Sequence, residues 1–177
     1  MALTDIDRDQ RAMMLSESAR MSSAAEARFR VQSSSSEPRV VKVIALDVAS
    51  EEVLRRLAER SWNHATFLSA ATFGANPQDR LTDLYGRSRD LKEEVDAADL
   101  VVMVVTAGGN AQAAALIGSM CNLEPVNTAA FVSGTTTSSA SEAAVSRTLA
   151  QLRPWSLMVV IADADDYIED MLVALRA

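Results

Sequence analysis

The chain has one cysteine and one histidine in 177 residues. A single cysteine, Cys121, excludes an internal disulfide and leaves a reducing compartment open. A single histidine, His64, leaves no histidine metal cluster. It stands just before an expected strand start, the wrong end of a parallel sheet for a Ser–His–Asp arrangement. Aromatic residues make up 5% of the chain, and Trp62 and Trp155 flank strand starts, where they read as core or rim packing. Glycine is scarce as well, with six in all, and none lies in the loop after the first strand. A dinucleotide fold needs G-x-G-x-x-G there, and a phosphate loop needs G-K-[ST], which occurs nowhere. Basic residues (17) are outnumbered by acidic ones (24), for a net charge of −7. That balance excludes general binding to nucleic acid or anionic membranes, because phosphate contacts need a basic face. One bound nucleotide stays open, since backbone N–H groups at a helix end can hold its phosphates. No apolar run approaches the ~20 residues of a membrane span. The polar N-terminus of mixed charge reads against a secretory signal, so a cytoplasmic location is expected.

What is present is apolar and periodic. Hydrophobic residues form 49% of the sequence, enough for one domain with a sizeable core. Residues 1–38 stand apart. They are rich in Ala, Ser, Met, Arg and acids, and close on Ser33 to Ser36, Glu37 and Pro38. They read as a flexible N-terminal arm with a Ser-rich linker, or as a helix that docks. Residues 39–177 then alternate strand and helix. Strands are expected over residues 40–48, 65–73, 99–106, 127–134 and 156–162. Helices are expected from Ser50 as N-cap with Val53, Leu54 and Leu57 inward, and over residues 78–98, 111–123, 139–152 and 167–175. The long helix over 78–98 would bury Leu81, Leu84, Leu91 and Val95, with Gly86 as its weak point. This order gives an α/β class: a three-layer, doubly wound, mostly parallel sheet of about five strands, Rossmann-like.

The sheet's carboxyl edge gathers the loops where ligands sit in such folds. Asp47 and Ser50 follow the first strand, Gly74 and Asn76 the second, and Thr106, Gly108, Gly109 and Asn110 the third. Gly134 and Thr135 open a hydroxyl-rich run after the fourth. These ten residues are the candidate ligand site. The loop at Gly108 and Gly109 allows close backbone approach before a helix N-terminus, or it is a tight strand-to-helix turn. The hydroxyl run offers an anion site or a capped loop. Asp163, Asp165, Asp166, Glu169 and Asp170 suggest a divalent ion or a solvated helix start, without EF-hand spacing. No catalytic residue and no metal ligand emerges.

Several of these pieces resemble the nucleotide-binding half of the tubulin/FtsZ family. Gly74, Ala75, Asn76 and Pro77 reproduce that family's G-A-N-P loop, and Ala98 and Asp99 lead into a strand closing in Thr106, Ala107 and Gly108, like its A-D…T-A-G segment. Arg80 and the acidic pair Glu93 and Glu94 fall where the family has a basic and acidic helix. Leu152 and Arg153, then Ser156 to Ile161, resemble a later strand. The likeness runs from about Arg39 to Leu172. Two pieces depart from it. Side chains from Asp47 to Glu52 replace the glycine-rich loop after the first strand, and the G-G-G-T-G-T-G signature shrinks to Gly108, Gly109, Asn110, Ala111, Gln112 and Ala113. The chain also stops where the family continues into a central helix and a second domain carrying water-activating acids. The resemblance implies a degenerate, truncated relative that has lost GTP hydrolysis and keeps a binding or regulatory role of bacterial cell-division type. GTP or GDP is the ligand it implies. A cytoskeletal GTPase of the FtsZ type, or a second copy in a homo-oligomer, is the partner it implies. The alternative is a small anionic-ligand or nucleotide-binding protein or enzyme using the same loops.

Overall fold

The computed structural model describes residues 38–73, 80–134, 141–162, 166–175 and 177. The expectations for the arm before Pro38, for the turn at Gly74 and Asn76, for Thr135 and the hydroxyls after it, and for Asp163 and Asp165 lie outside the described residues.

Apolar runs rich in β-branched residues form the strands, and amphipathic stretches form the helices between them. In chain order these are β1 (Val41–Ala45), α1 (Val48–Ala58), β2 (Ala65–Ser69), β3 (Arg80–Asp83), β4 (Ser88–Asp90), α2 (Leu91–Asp96) and β5 (Leu100–Thr106). Then come α3 (Ala113–Leu123), β6 (Asn127–Ser133), α4 (Glu142–Leu152), a 3-10 turn (Arg153–Trp155), β7 (Met158–Ala162) and α5 (Asp166–Ala174). One seven-stranded sheet has the order β4-β3-β2-β1-β5-β6-β7. The five strands from β2 to β7 are parallel, while β3 and β4 add an antiparallel hairpin at one edge. The α/β, mostly parallel class is as expected. Among the described residues the sheet has seven strands, the expected set of about five being its parallel part and the β3–β4 hairpin the addition.

Alternation along the central strands fills a core on each face. Ile44, Val101, Met103 and Val105 meet Leu91, Val95, Ile117 and Leu152 from α2, α3 and α4. Val43, Val102, Val104 and Phe131 meet Val53, Leu54, Leu57, Ile168 and Leu172 from α1 and α5. Val101 to Val105 are wholly buried, and each such side chain contributes about 1.5–3 kcal/mol relative to exposure.

Residues 78–98 do not form the long helix expected of them. Residues 80–90 form the β3–β4 hairpin, and among the described residues of this stretch α2 alone is helical. Local side-chain bonding decides this. The Asp83 carboxylate accepts N–H bonds from Tyr85 at 2.9 Å and Arg87 at 2.8 Å, closing the turn. Gly86 takes φ 84°, a left-handed value that glycine adopts at no steric cost. Asp90 then caps α2, accepting from Lys92 N–H at 2.9 Å. Leu81 is buried as expected, but from a strand; Leu91 and Val95 are buried from α2. The Arg87 N–H bond does most to lower the Asp83 pKa; desolvation opposes it, and the Tyr85 N–H bond and the Arg87 and Arg89 guanidiniums add to the lowering.

Two packing details have measurable consequences. A Cβ on Gly118 of α3 would stand 2.5 Å from Trp155 Cβ. Gly118→Ala should therefore destabilise the protein by about 1–3 kcal/mol, since the indole side must shift to make room. Urea unfolding would check this, and an unchanged midpoint would contradict it. Cys121 is 1% exposed, and burial pushes its thiol up to about 11. In native protein at pH 8 it should resist alkylation, and react only once denaturant opens the core. Mass spectrometry after iodoacetamide reads this directly.

Candidate functional site

The parallel strands run β2-β1-β5-β6-β7, so the chain reverses its direction of winding between β1 and β5. The crevice outside the carboxyl ends of these two strands is where ligands sit in such sheets. Here two sequence-singled segments meet, the one from Asp47 to Ser50 and the one from Thr106 to Asn110.

Asp47 follows β1 by two residues and caps α1. Its Oδ1 accepts the Ser50 N–H at 2.8 Å, and the Ser50 hydroxyl approaches Asp47 in return, in a reciprocal capping box. The N-cap is therefore Asp47, three residues before Ser50, where it was expected. Asp47 Oδ2 crosses the crevice. It accepts the Thr106 hydroxyl at 2.5 Å and the Thr106 N–H at 3.2 Å. One carboxylate thus holds the end of β5 and the start of α1 together. It occupies the position, at a helix N-terminus, where a ligand's anionic group would be held.

The glycines complete the closure. Gly108 has φ 80°, which turns the chain off β5. Gly109 N–H bonds Thr106 O at 2.8 Å. A Cβ on Gly109 would stand 2.0 Å from Asp47 Oδ2 and 2.9 Å from Thr106 O. Close backbone approach is what this glycine permits, but the approaching group is the protein's own carboxylate. Asn110 Oδ1 accepts the Gln112 N–H at 3.0 Å, so it acts as a local turn residue. Gly134, the residue after β6, has φ 74°, and its N–H bonds the O of Ala162, the last residue of β7, at 3.2 Å.

Two residues that sequence reasoning missed finish the loop. The Thr148 hydroxyl donates to Gly109 O at 2.7 Å, and Gln151 Oε1 accepts the Ala111 N–H at 2.9 Å. Both come from α4 at i, i+3 spacing, which puts them on one helix face. No local sequence signal marks them; only the sheet order brings α4 to this loop. Beside them lies a notch of about 210 Å³ lined by Gly108, Gly109, Asn110 and Arg147. Arg147 supplies its positive charge. A second cleft of about 410 Å³ opens at the opposite end of the strands, between Cys121, Asn127, Trp155 and Ser156. The Ser156 hydroxyl is buried there with no hydrogen-bond partner among the described residues.

The structure therefore brings Asp47, Ser50, Thr106, Gly108, Gly109 and Asn110 together, with their polar groups largely bonded to one another or to α4. Among the described residues no group of three His, Cys, Asp or Glu side chains could hold a metal ion. Glu169 pairs with Arg60 across α5 and the end of α1. Among the described residues no helix is long and apolar enough to cross a membrane. A scan against protein families matches no family model, and a search of curated proteins returns no match.

Proposed function

We propose that this chain is a non-catalytic binding or regulatory domain, similar in plan to a tubulin/FtsZ nucleotide domain, that has lost GTP hydrolysis and acts in the cytoplasm through contact with another protein. That protein is a cytoskeletal GTPase of this type or a second copy of the chain. The observation that carries the proposal is the Asp47 carboxylate, seated between β1 and β5 and bonded to Thr106 on one side and Ser50 on the other. A phosphate entering there would meet a like charge and would have to displace two sets of hydrogen bonds. In the absence of further glycines, backbone N–H groups cannot wrap it as a phosphate loop does.

Thermal shift with magnesium and GTP or GDP tests this. A ligand at a hundred times its Kd stabilises a protein by about 2.7 kcal/mol, which for a domain of this size raises the melting temperature by several degrees. No shift is expected, and no GTP turnover above blank. Turnover would overturn the proposal. A second reading is favoured by one observation, the Arg147 notch. It is a small anionic ligand held beside Gly108 and Asn110, outside the crevice. A shift with sugar phosphates or acyl phosphates that Arg147→Ala removes would select it.

A further inference from the structure

The two edges of the sheet differ in kind. At one edge, β4 is three residues long, wholly exposed, and carries Arg89 and Asp90. Short, charged edge strands resist pairing with another chain. At the other edge, β7 reads Met158, Val159, Val160, Ile161 and Ala162, with no charge. Only β6 pairs with it among the described residues. Sequences of this kind normally lie in the middle of a parallel sheet. Here Leu157 is 78% exposed, Met158 50% and Ile161 51%. Tyr167 joins them at 54%. Glu169 turns its flank of α5 toward Arg60 at the end of α1. Tyr167 stands about 200° away around the helix, on the opposite flank, and its ring lies 6.1 Å from that of Phe131 on β6.

The geometry points to β7 as a self-pairing edge: two copies of this chain join through antiparallel β7 strands about a two-fold axis, making one continuous sheet. Charge permits a second copy as the occupant. The chain carries −7 overall, which opposes association of copies in general. The segment from Ser156 to Ala162 carries no charge, so two of these strands set edge to edge place no like charges opposite each other. A strand edge is self-complementary when turned antiparallel, because its outward N–H and C=O groups then meet their own counterparts. Area agrees. Four large side chains at these exposures flank the edge on both faces of the sheet and offer on the order of 500 Å² of surface per copy. Two copies together bring about 1,000 Å², the size at which a specific interface begins.

The pairing deepens the binding-domain proposal and rests on it for its biological purpose alone. The test is sedimentation velocity on the full chain, run with wild type and with a Met158→Lys, Ile161→Lys double variant. Both substituted positions are half-exposed, so the monomer's core is left alone, and circular dichroism melting checks that the variant folds. Tyr167→Lys serves as a second variant off the strand. Wild type should sediment as a dimer, and the double variant as a folded monomer, with a dimer Kd raised at least tenfold by Tyr167→Lys. A monomeric wild type at all concentrations would overturn the pairing, as would open-ended assemblies or a dimer that the lysines leave intact. None of those outcomes touches the closed crevice, whereas GTP turnover would overturn the crevice reading and leave the pairing standing.

Discussion

Glu94→Ala should lower stability by about 3–5 kcal/mol, the usual loss when one partner of a buried ion pair is removed. In a domain of this size that is roughly a 10 °C fall in melting temperature. The cause lies in β1, where Lys42 is the one charged residue. It is 8% exposed and shares its face of the sheet with Ile44 and Val101. Its Nζ donates to Glu94 Oε2 at 2.7 Å and to the Thr66 hydroxyl at 3.3 Å. Both partners' side chains are largely out of water, at 10% and 14% exposure. Arg89 approaches the other Glu94 oxygen at 3.9 Å, tying the β3–β4 hairpin to the same group. Removing Glu94 leaves an ammonium in an apolar wall with one hydroxyl for company. Lys42→Met with Glu94→Leu should recover most of the loss, since no charge then needs solvating. Urea denaturation of the three variants decides it. A loss below about 1 kcal/mol for Glu94→Ala would mean that Lys42 reaches water, as an exposed pair would.

Asp47→Ala should cost about 3 kcal/mol, of which the lost helix cap supplies about 1. The rest comes from Thr106, whose N–H and hydroxyl lose their shared acceptor inside the crevice at roughly 1–3 kcal/mol. Asp47→Asn separates the two parts. It keeps an oxygen for the Ser50 N–H and loses one of the two carboxylate acceptors, so its cost should fall near half. Equal stability of Asp47→Ala and wild type would show that the carboxylate is not holding β5 to α1.

The strands β1, β5 and β6 were legible because a buried parallel strand is an unbroken apolar run, and few other structures require one. The hairpin was not. Leu81, Leu84, Leu91 and Val95 recur at spacings that suit a helix, and β3 is too short to display a period of two. Asp83, Gly86 and Asp90 overrode that pattern through bonds to their own backbone neighbours, the competition that short polar residues and glycine bring to any helix. The loops of the site were legible as a carboxyl edge, but their contents were not. Asp47 and Thr106 lie 59 residues apart, and they meet because β1 pairs with β5. Glycine at 109 looked like room for a ligand. In the fold it is room for Asp47. The exposure of β7 was hidden for a related reason: Met158 to Ala162 has the composition of a central strand, and sheet order alone puts it at an edge.

The closed crevice is the central claim, and calorimetric titration of the full chain with GTP or GDP in magnesium tests it most directly. No saturable heat is expected up to about 1 mM nucleotide, a limit equivalent to less than roughly 4 kcal/mol of binding free energy. Saturable binding with a Kd in the micromolar range, about 8 kcal/mol, would contradict it, because Asp47 would then have yielded its place between β1 and β5 to a phosphate.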